Sequence, residues 1–297
     1  MIEPIDRVVI TGASGFVGRV LAARLPSSSR AISFASDDWA ARLQETDLAG
    51  ATIFHLAARA HGPGNDAAFT RDNTDKTRAL AQAAAAAGAR RLVFLSTIKV
   101  NGEETSSRPF KPDDKPAPED AYARSKWAAE RALHEVAQLE TVIVRPALVY
   151  GPRARANLAA LLRLADSAAP LPFASLDARR SFVHVDDLAD LLLACASHPA
   201  AAQKTYIAAH PQGVSTAQVM TLMRKALGRP LRLFPMPASA IEAASALIGQ
   251  AGKARRLTRP LLGDPSSALR ELQWSPRVPI EDAVEEMVGE YRARRKH

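Results

Sequence analysis

One cysteine, Cys195, stands alone in 297 residues, so no disulfide can form within the chain. It lies in Leu191-Leu192-Leu193-Ala194-Cys195, the setting of a core residue rather than a nucleophile. Aromatic residues make up only 5% of the chain, and its Lys and Arg are scattered. The stacking platform and basic stripe of a nucleic-acid interface are therefore missing. No run approaches the ~20 apolar residues of a membrane span. Glu3, Asp6 and Arg7 precede any apolar stretch, which does not fit a secretory signal. These absences predict a cytoplasmic protein that binds no nucleic acid, holds no metal and spans no membrane.

What is present is apolar mass and positive charge. At 47% hydrophobic, the chain can bury a full core as one large domain, or as a main domain with a smaller lobe. A net charge of +8 favours anionic ligands. The basic tail Arg292, Arg294, Arg295 and Lys296 reads as a solvated terminus; weak contact with an anionic membrane is the sharper alternative.

Apolar, β-branched runs recur at Val8–Ile10, Ala31–Phe34, Thr52–His55, Leu92–Leu95 and Val142–Val144. Helical patterns separate them, notably Asp75–Ala87 and Lys126–Leu139. That alternation predicts an α/β fold, a doubly wound parallel sheet covered by helices on both faces. The stretch from Phe34 to Thr52 is too short for a full extra strand, so the usual third strand is expected to be reduced or absent. Near residue 151 the rhythm changes and proline becomes more frequent. Residues 1–150 are read as the main domain and 151–297 as mainly a smaller lobe. Segments near 182–208, with Phe182–Val185 and Tyr206–Ala208, are expected to return to the main sheet.

The strand Val8–Ile10 runs into Thr11-Gly12-Ala13-Ser14-Gly15-Phe16-Val17-Gly18, and helical spacing follows. Strand, tight glycine turn and helix form a pyrophosphate-binding context. Gly12 and Gly15 let the backbone turn and approach an anion, and Gly18 lets helix and strand pack closely.

Tyr122 and Lys126 are four residues apart, so on a helix they share a face. A tyrosine titrates near pH ~10. A neighbouring ammonium favours the phenolate and is expected to bring Tyr122 toward the working range of an acid–base catalyst. Lys126 can also donate to a ribose hydroxyl, and the Thr97 hydroxyl can hold a substrate oxygen beside the phenol.

With these residues in view, the chain resembles the extended short-chain dehydrogenase/reductase family, in its nucleotide-sugar epimerase, dehydratase and reductase branch. TGASGFVG is similar to the family's cofactor turn, and FHLAAR at Phe54–Arg59 to its strand-end motif. Asn73 sits where the family has its usual Asn. TIKVNG at Thr97–Gly102 resembles the segment bearing the catalytic hydroxyl, with Asn101 in place of the usual Tyr. YARSK at Tyr122–Lys126 is similar to the catalytic YxxxK. RPALVYGP at Arg145–Pro152 and FVHVDDLA at Phe182–Ala189 complete the series.

The resemblance implies a Rossmann-like domain that binds NAD or NADP, and a C-terminal lobe that binds a nucleoside-diphosphate sugar, with uridine the commoner nucleotide. It implies Thr97, Tyr122 and Lys126 as catalytic residues. It places Gly12, Ser14, Gly15, Phe16, Val17, Gly18, Ser36, Leu56, Ala57, Ala58, Asn73 and Pro146 at the cofactor. Asn157, Leu158 and Arg256 are assigned to the substrate, with Arg255 and Arg259 as other candidates for its phosphates. A homodimer through the helices at 75–87 and 126–139 is expected.

Dehydratases of this branch carry Asp-Glu after the catalytic Thr, where this chain has Ile98-Lys99, so 4,6-dehydration is unsupported. Reduction of a 4-keto sugar and 4-epimerisation need the same residues. The run STIKVNGE is similar to both kinds of enzyme in surface-polysaccharide pathways, and the reading leans to the reductase. A non-catalytic sensor of the dinucleotide is the alternative of another class. For the cofactor, the second strand ends Phe34-Ala35-Ser36-Asp37-Asp38. Ser36 at the ribose position would allow NADP and Asp37 there would favour NAD; with Arg42 nearby, the reading leans to NADP.

Overall fold

The computed structural model describes residues 6–60, 65–152 and 157–295, with the side chain of Asn157 also outside the described set. Strand β1 (Val8–Thr11) opens the fold, and all four of its residues are buried. Helix α1 (Phe16–Ala22) follows, then β2 (Arg30–Ile32), α2 (Trp39–Gln44) and β3 (Thr52–His55). A short α3 (Asp66–Phe69) and a π-helical turn at Thr70–Asp75 lead into α4 (Lys76–Ala86) and β4 (Arg91–Leu95). A 3₁₀ turn at Ile98–Val100 precedes α5 (Ala121–His134), β5 (Thr141–Pro146) and β6 (Leu148–Tyr150).

The remaining elements are α6 (Asn157–Asp166), β7 (Arg179–Arg180), β8 (Phe182–His184), α7 (Val185–Ser197) and β9 (Lys204–Ala208). They continue with β10 (Val214–Ser215), α8 (Thr216–Ala226), α9 (Ala238–Leu247), α10 (Ala251–Thr258), α11 (Ser266–Glu271) and α12 (Ile280–Arg295).

Six parallel strands form the main sheet in the order β2-β1-β3-β4-β5-β9. The strands are apolar on both faces because helices cover both sides. Val8, Ile10, Phe54, Val93 and Val144 pack toward α1 and α7. Val9, Ile53, Leu92, Phe94 and Ile143 pack toward α4 and α5. Residues 33–51 hold α2 and no strand, so β2 is the sheet edge. The chain winds away from β1 in both directions, and such a switch point leaves a crevice at the carboxyl ends of β1 and β3.

Three sequence expectations are corrected. The second strand is Arg30–Ile32, because Phe34 leaves the sheet to pack on Trp39 and His55, with ring centroids 5.4 and 5.5 Å apart. Helix α5 ends at His134 rather than Leu139; Leu139 is buried through a turn that closes onto Val136. Phe182–Val185 does not join the main sheet, since β8 pairs with β6 in a separate two-stranded sheet, whereas Tyr206–Ala208 lies in β9 beside β5.

A separate apolar cluster around α6, α8 and α12 contains Leu158, Leu162, Met220, Met223 and Met287. Asp187 ties this region to the sheet by accepting from the Arg277 and Val278 N–H groups, at 2.8 and 3.3 Å. Cys195 is buried, and burial pushes its thiol up. No described helix is long and apolar enough to cross a membrane. Among the described residues, no group of His, Cys, Asp and Glu could hold a metal.

Candidate active site

Gly12 adopts φ +74°, and a Cβ there would sit 2.6 Å from the Ala57 nitrogen. A Cβ on Gly18 would sit 2.0 Å from the Gly12 oxygen. Both glycines are therefore required by close backbone approach. The turn closes with Gly15 N–H donating to the Gly12 oxygen at 3.0 Å. Ser14, Phe16 and Val17 surround the entry to α1, while Leu56, Ala57 and Ala58 leave β3 beside the turn. Pro146 lies at the matching end of β5.

A directed hydrogen-bond chain runs beneath this cradle. Ala57 N–H donates to Thr11 Oγ1 at 3.3 Å, and Thr11 Oγ1 lies 2.6 Å from His55 Nδ1. His55 Nε2 lies 2.8 Å from Thr77 Oγ1, which donates to the Asn73 carbonyl at 2.5 Å. Thr77 has spent its proton, so its oxygen accepts, and His55 is the neutral Nε2–H tautomer. Burial, reinforced by the Lys126 charge, holds the imidazole down at about 3.

A depressed histidine lends stability that is fully present above pH ~6.5 and lost as pH falls toward 3. Unfolding free energy is expected to drop about 2 kcal/mol more between pH 7 and pH 5 in the wild type than in His55→Gln. Urea titrations at both pH values check this, and equal drops would remove His55 as the source.

Asn73 holds the β3 exit against α5. Its Oδ1 accepts from Arg59 N–H at 2.7 Å, and its Nδ2 donates to the Arg59 oxygen and to Ser125 Oγ at 3.1 and 2.8 Å. Both amide hydrogens are used, so it acts on the cleft by positioning.

Helix α5 starts at an Asp120 cap, whose Oδ1 accepts from Ala123 N–H at 2.7 Å. Lys99 occupies a position where dehydratases carry an acid, and its ammonium pairs with Glu103 and with Asp120. Thr97 follows β4, and its Oγ1 accepts from Lys99 N–H at 3.4 Å. Lys126 is wholly buried, with Nζ 3.8 Å from the Phe94 ring centroid. That Nζ has no hydrogen-bond partner among the described residues. Burial pushes the ammonium down to about 7, against the opposing pull of Glu130. Burial also pushes the Tyr122 phenol up, helped by the Asp120 charge. The expected lowering of Tyr122 by Lys126 is thus overridden in the protein alone, because both groups lose water.

An amine buried without a hydrogen-bond partner among the described residues, one helical turn from Tyr122 and in the same domain as the close-packed glycine turn, fits a dinucleotide whose ribose hydroxyls reach Lys126. Ser36 Oγ, by contrast, donates back to the Ser33 oxygen at 3.1 Å. Arg42 is held by Asp38 at 2.7 Å.

On the substrate side, the Asn157 side chain lies outside the described residues. The Leu158 side chain is buried in the lobe's core, leaving only its backbone for a ligand. Arg259 grips Glu242 through two hydrogen bonds of 2.7 and 2.8 Å, and Arg255 stands 3.7 Å from Glu104. Arg256 is exposed. Sequence reasoning missed Arg180, whose Nη1 donates to the Arg259 oxygen at 2.9 Å. Burial, with Arg256 nearby, pushes this guanidinium down to about 10. Its place directly before Ser181 and the FVHVDD segment was the available signal.

A sequence profile described as the NAD dependent epimerase/dehydratase family matches residues 8–209. The chain belongs to that family. It is an NAD(P)-dependent enzyme with the Rossmann-like fold of the extended short-chain dehydrogenases/reductases. A UDP-glucose 4-epimerase of Vibrio cholerae is 34% identical over 310 residues, spanning 94% of this chain and 93% of the relative. A dTDP-4-dehydrorhamnose reductase of Mycobacterium tuberculosis is also 34% identical, over 64% of this chain and 66% of its own. The solved UDP-glucose 4-epimerase of Thermotoga maritima superposes with a TM-score of 0.77 at 19% identity, covering 97% of this chain and 99% of that one. At that identity the superposition speaks for the fold.

Proposed function

We propose that this enzyme moves hydride at C4 of a UDP-sugar, with 4-epimerisation as the first reading. The observation that carries it is the buried Lys126 Nζ, without a hydrogen-bond partner among the described residues, one turn from Tyr122. The likeness to an epimerase along nearly the whole chain supports epimerisation over the reductase favoured by the motifs alone. Reduction of a 4-keto sugar stands as the second reading, supported by the shorter likeness to a reductase.

Tyr122 removes the O4 proton as C4 is oxidised and returns it when C4 is reduced. Thr97 holds O4 beside the phenol. Lys126, once hydrogen-bonded to ribose hydroxyls, regains its charge and lowers the phenol's pKa into the working range. The bound nicotinamide supplies the hydride acceptor and donor.

NAD is the cofactor this arrangement favours over NADP. Asp38 neutralises Arg42, and the neighbouring Asp37 repels a 2′-phosphate.

Arg180 and Arg256 are read as the diphosphate contacts. Arg180→Ala is expected to raise KM about tenfold or more, with a smaller change in kcat. Steady-state kinetics on UDP-galactose checks this, and an unchanged KM would remove Arg180 from the substrate site. Lys126 also predicts proton uptake. At pH 8 an amine titrating near 7 is mostly neutral, and it gains a proton when NADH binding raises its pKa. Calorimetry in buffers of different ionisation enthalpy should show that uptake in the wild type and not in Lys126→Met.

The direct test incubates the protein with UDP-glucose or UDP-galactose and NAD, and separately with a UDP-4-keto-6-deoxy sugar and NADH or NADPH. Interconversion of the hexoses supports the first reading. Stoichiometric cofactor oxidation supports the second, and neither result would sink both.

A further inference from the structure

The α9–α10 hairpin ends in two of the most exposed apolar side chains of the molecule, Leu247 at 89% and Ile248 at 73%. The tip is built rather than loose. Gln250 N–H donates to the Ser245 oxygen at 2.7 Å, and Gly249 N–H to the Ala246 oxygen at 3.0 Å, with Gly249 at φ +69°. That pair of bonds is a Schellman closure, which fixes where Leu247 and Ile248 point. Only Ile241 of α9 is buried, so the other apolar residues of this helix contribute little to the core. Two large aliphatics held in water gain nothing for folding.

Charge says what faces them. Within residues 238–258 the one acid is Glu242, and Arg259 neutralises it at 2.7 Å. Lys253 and Arg255 follow the tip on α10, both exposed, with Arg255 3.7 Å from Glu104. An apolar point flanked by bases, on a chain of net charge +8, suits the boundary between acyl chains and anionic headgroups. We infer that the α9–α10 tip docks the enzyme onto an anionic phospholipid surface, with Leu247 and Ile248 inserted and Lys253 and Arg255 on the headgroups. The inference is independent of which sugar reaction the enzyme performs.

The full-length protein is sedimented with vesicles of phosphatidylethanolamine containing about 30 mol% phosphatidylglycerol, and with neutral phosphatidylcholine vesicles. The bound fraction should be about fivefold or more higher on the anionic vesicles, and should fall in roughly 0.5 M NaCl. Leu247→Ser/Ile248→Ser should abolish it while leaving the melting temperature and NADH binding unchanged. Equal binding to both vesicles, or retention in the double variant, would overturn the inference. So would absence of vesicle binding together with a variant that changes only the oligomeric state, since that would assign the tip to a second copy.

Discussion

Tyr122→Phe should lower turnover about 10²–10⁴-fold while leaving the affinity for NADH within about twofold. The phenol hydroxyl is the one group on this face of α5 suited to move the O4 proton, and its ring can be retained without it. The neighbouring Lys126 is assigned to the ribose hydroxyls and does not take its place. Lys126→Met should behave differently, weakening cofactor binding and turnover together, because its orphaned amine is assigned to both the ribose and the phenol. A Tyr122→Phe enzyme with unchanged turnover would dismiss the proposed chemistry even if cofactor still bound.

Glu130→Ala should cost about 3–5 kcal/mol of stability. Glu130 is fully buried on α5 and pairs with Arg145 of β5 through contacts of 3.0 and 2.6 Å. Ser96, at the end of β4, donates to the same carboxylate. Arg145 further donates to Asn101 Oδ1 at 3.1 Å and to the Pro112 oxygen at 3.0 Å. Removing the acid would leave a buried guanidinium with only carbonyl acceptors. Because the pair joins α5 to the segment carrying Thr97, the loss should also impair catalysis in molecules that remain folded. Chemical denaturation of Glu130→Ala checks the first effect. A cost below about 1 kcal/mol would mean that the pair is not what fixes α5.

The parts of this site that could be read from the sequence are local. Gly12, Gly15 and Gly18 lie within seven residues, and Tyr122 and Lys126 within one helical turn, so spacing alone carries their geometry. The strands were legible because burial on both faces makes each a continuous apolar run. What escaped depends on partners far apart in the chain. His55 reads as a strand residue until Thr11 and Thr77 are brought to its two nitrogens. Glu130 and Arg145 look like ordinary helix and strand charges until α5 crosses β5. Arg180 was passed over because its burial comes from residues near 259, nearly 80 positions away. The upward push on the Tyr122 phenol in the protein alone was not foreseen for a related reason: a charge can be counted from sequence, whereas loss of water cannot. Lys99 shows the same limit, since with Ile98 it spoke against dehydration but its hold on the α5 cap became visible only in the fold.

The most direct test of hydride transfer at C4 follows deuterium. UDP-glucose carrying deuterium at C4 is incubated with the protein and NAD, and the products are examined by NMR. The account predicts UDP-galactose that keeps the deuterium at C4 with inverted configuration, because the hydride is held at the site and returned. For the reductase reading, the companion sample of 4-keto sugar with NADH deuterated at nicotinamide C4 would place the label at sugar C4. Product whose C4 has exchanged its deuterium for solvent hydrogen would contradict the account, since that result requires deprotonation at carbon.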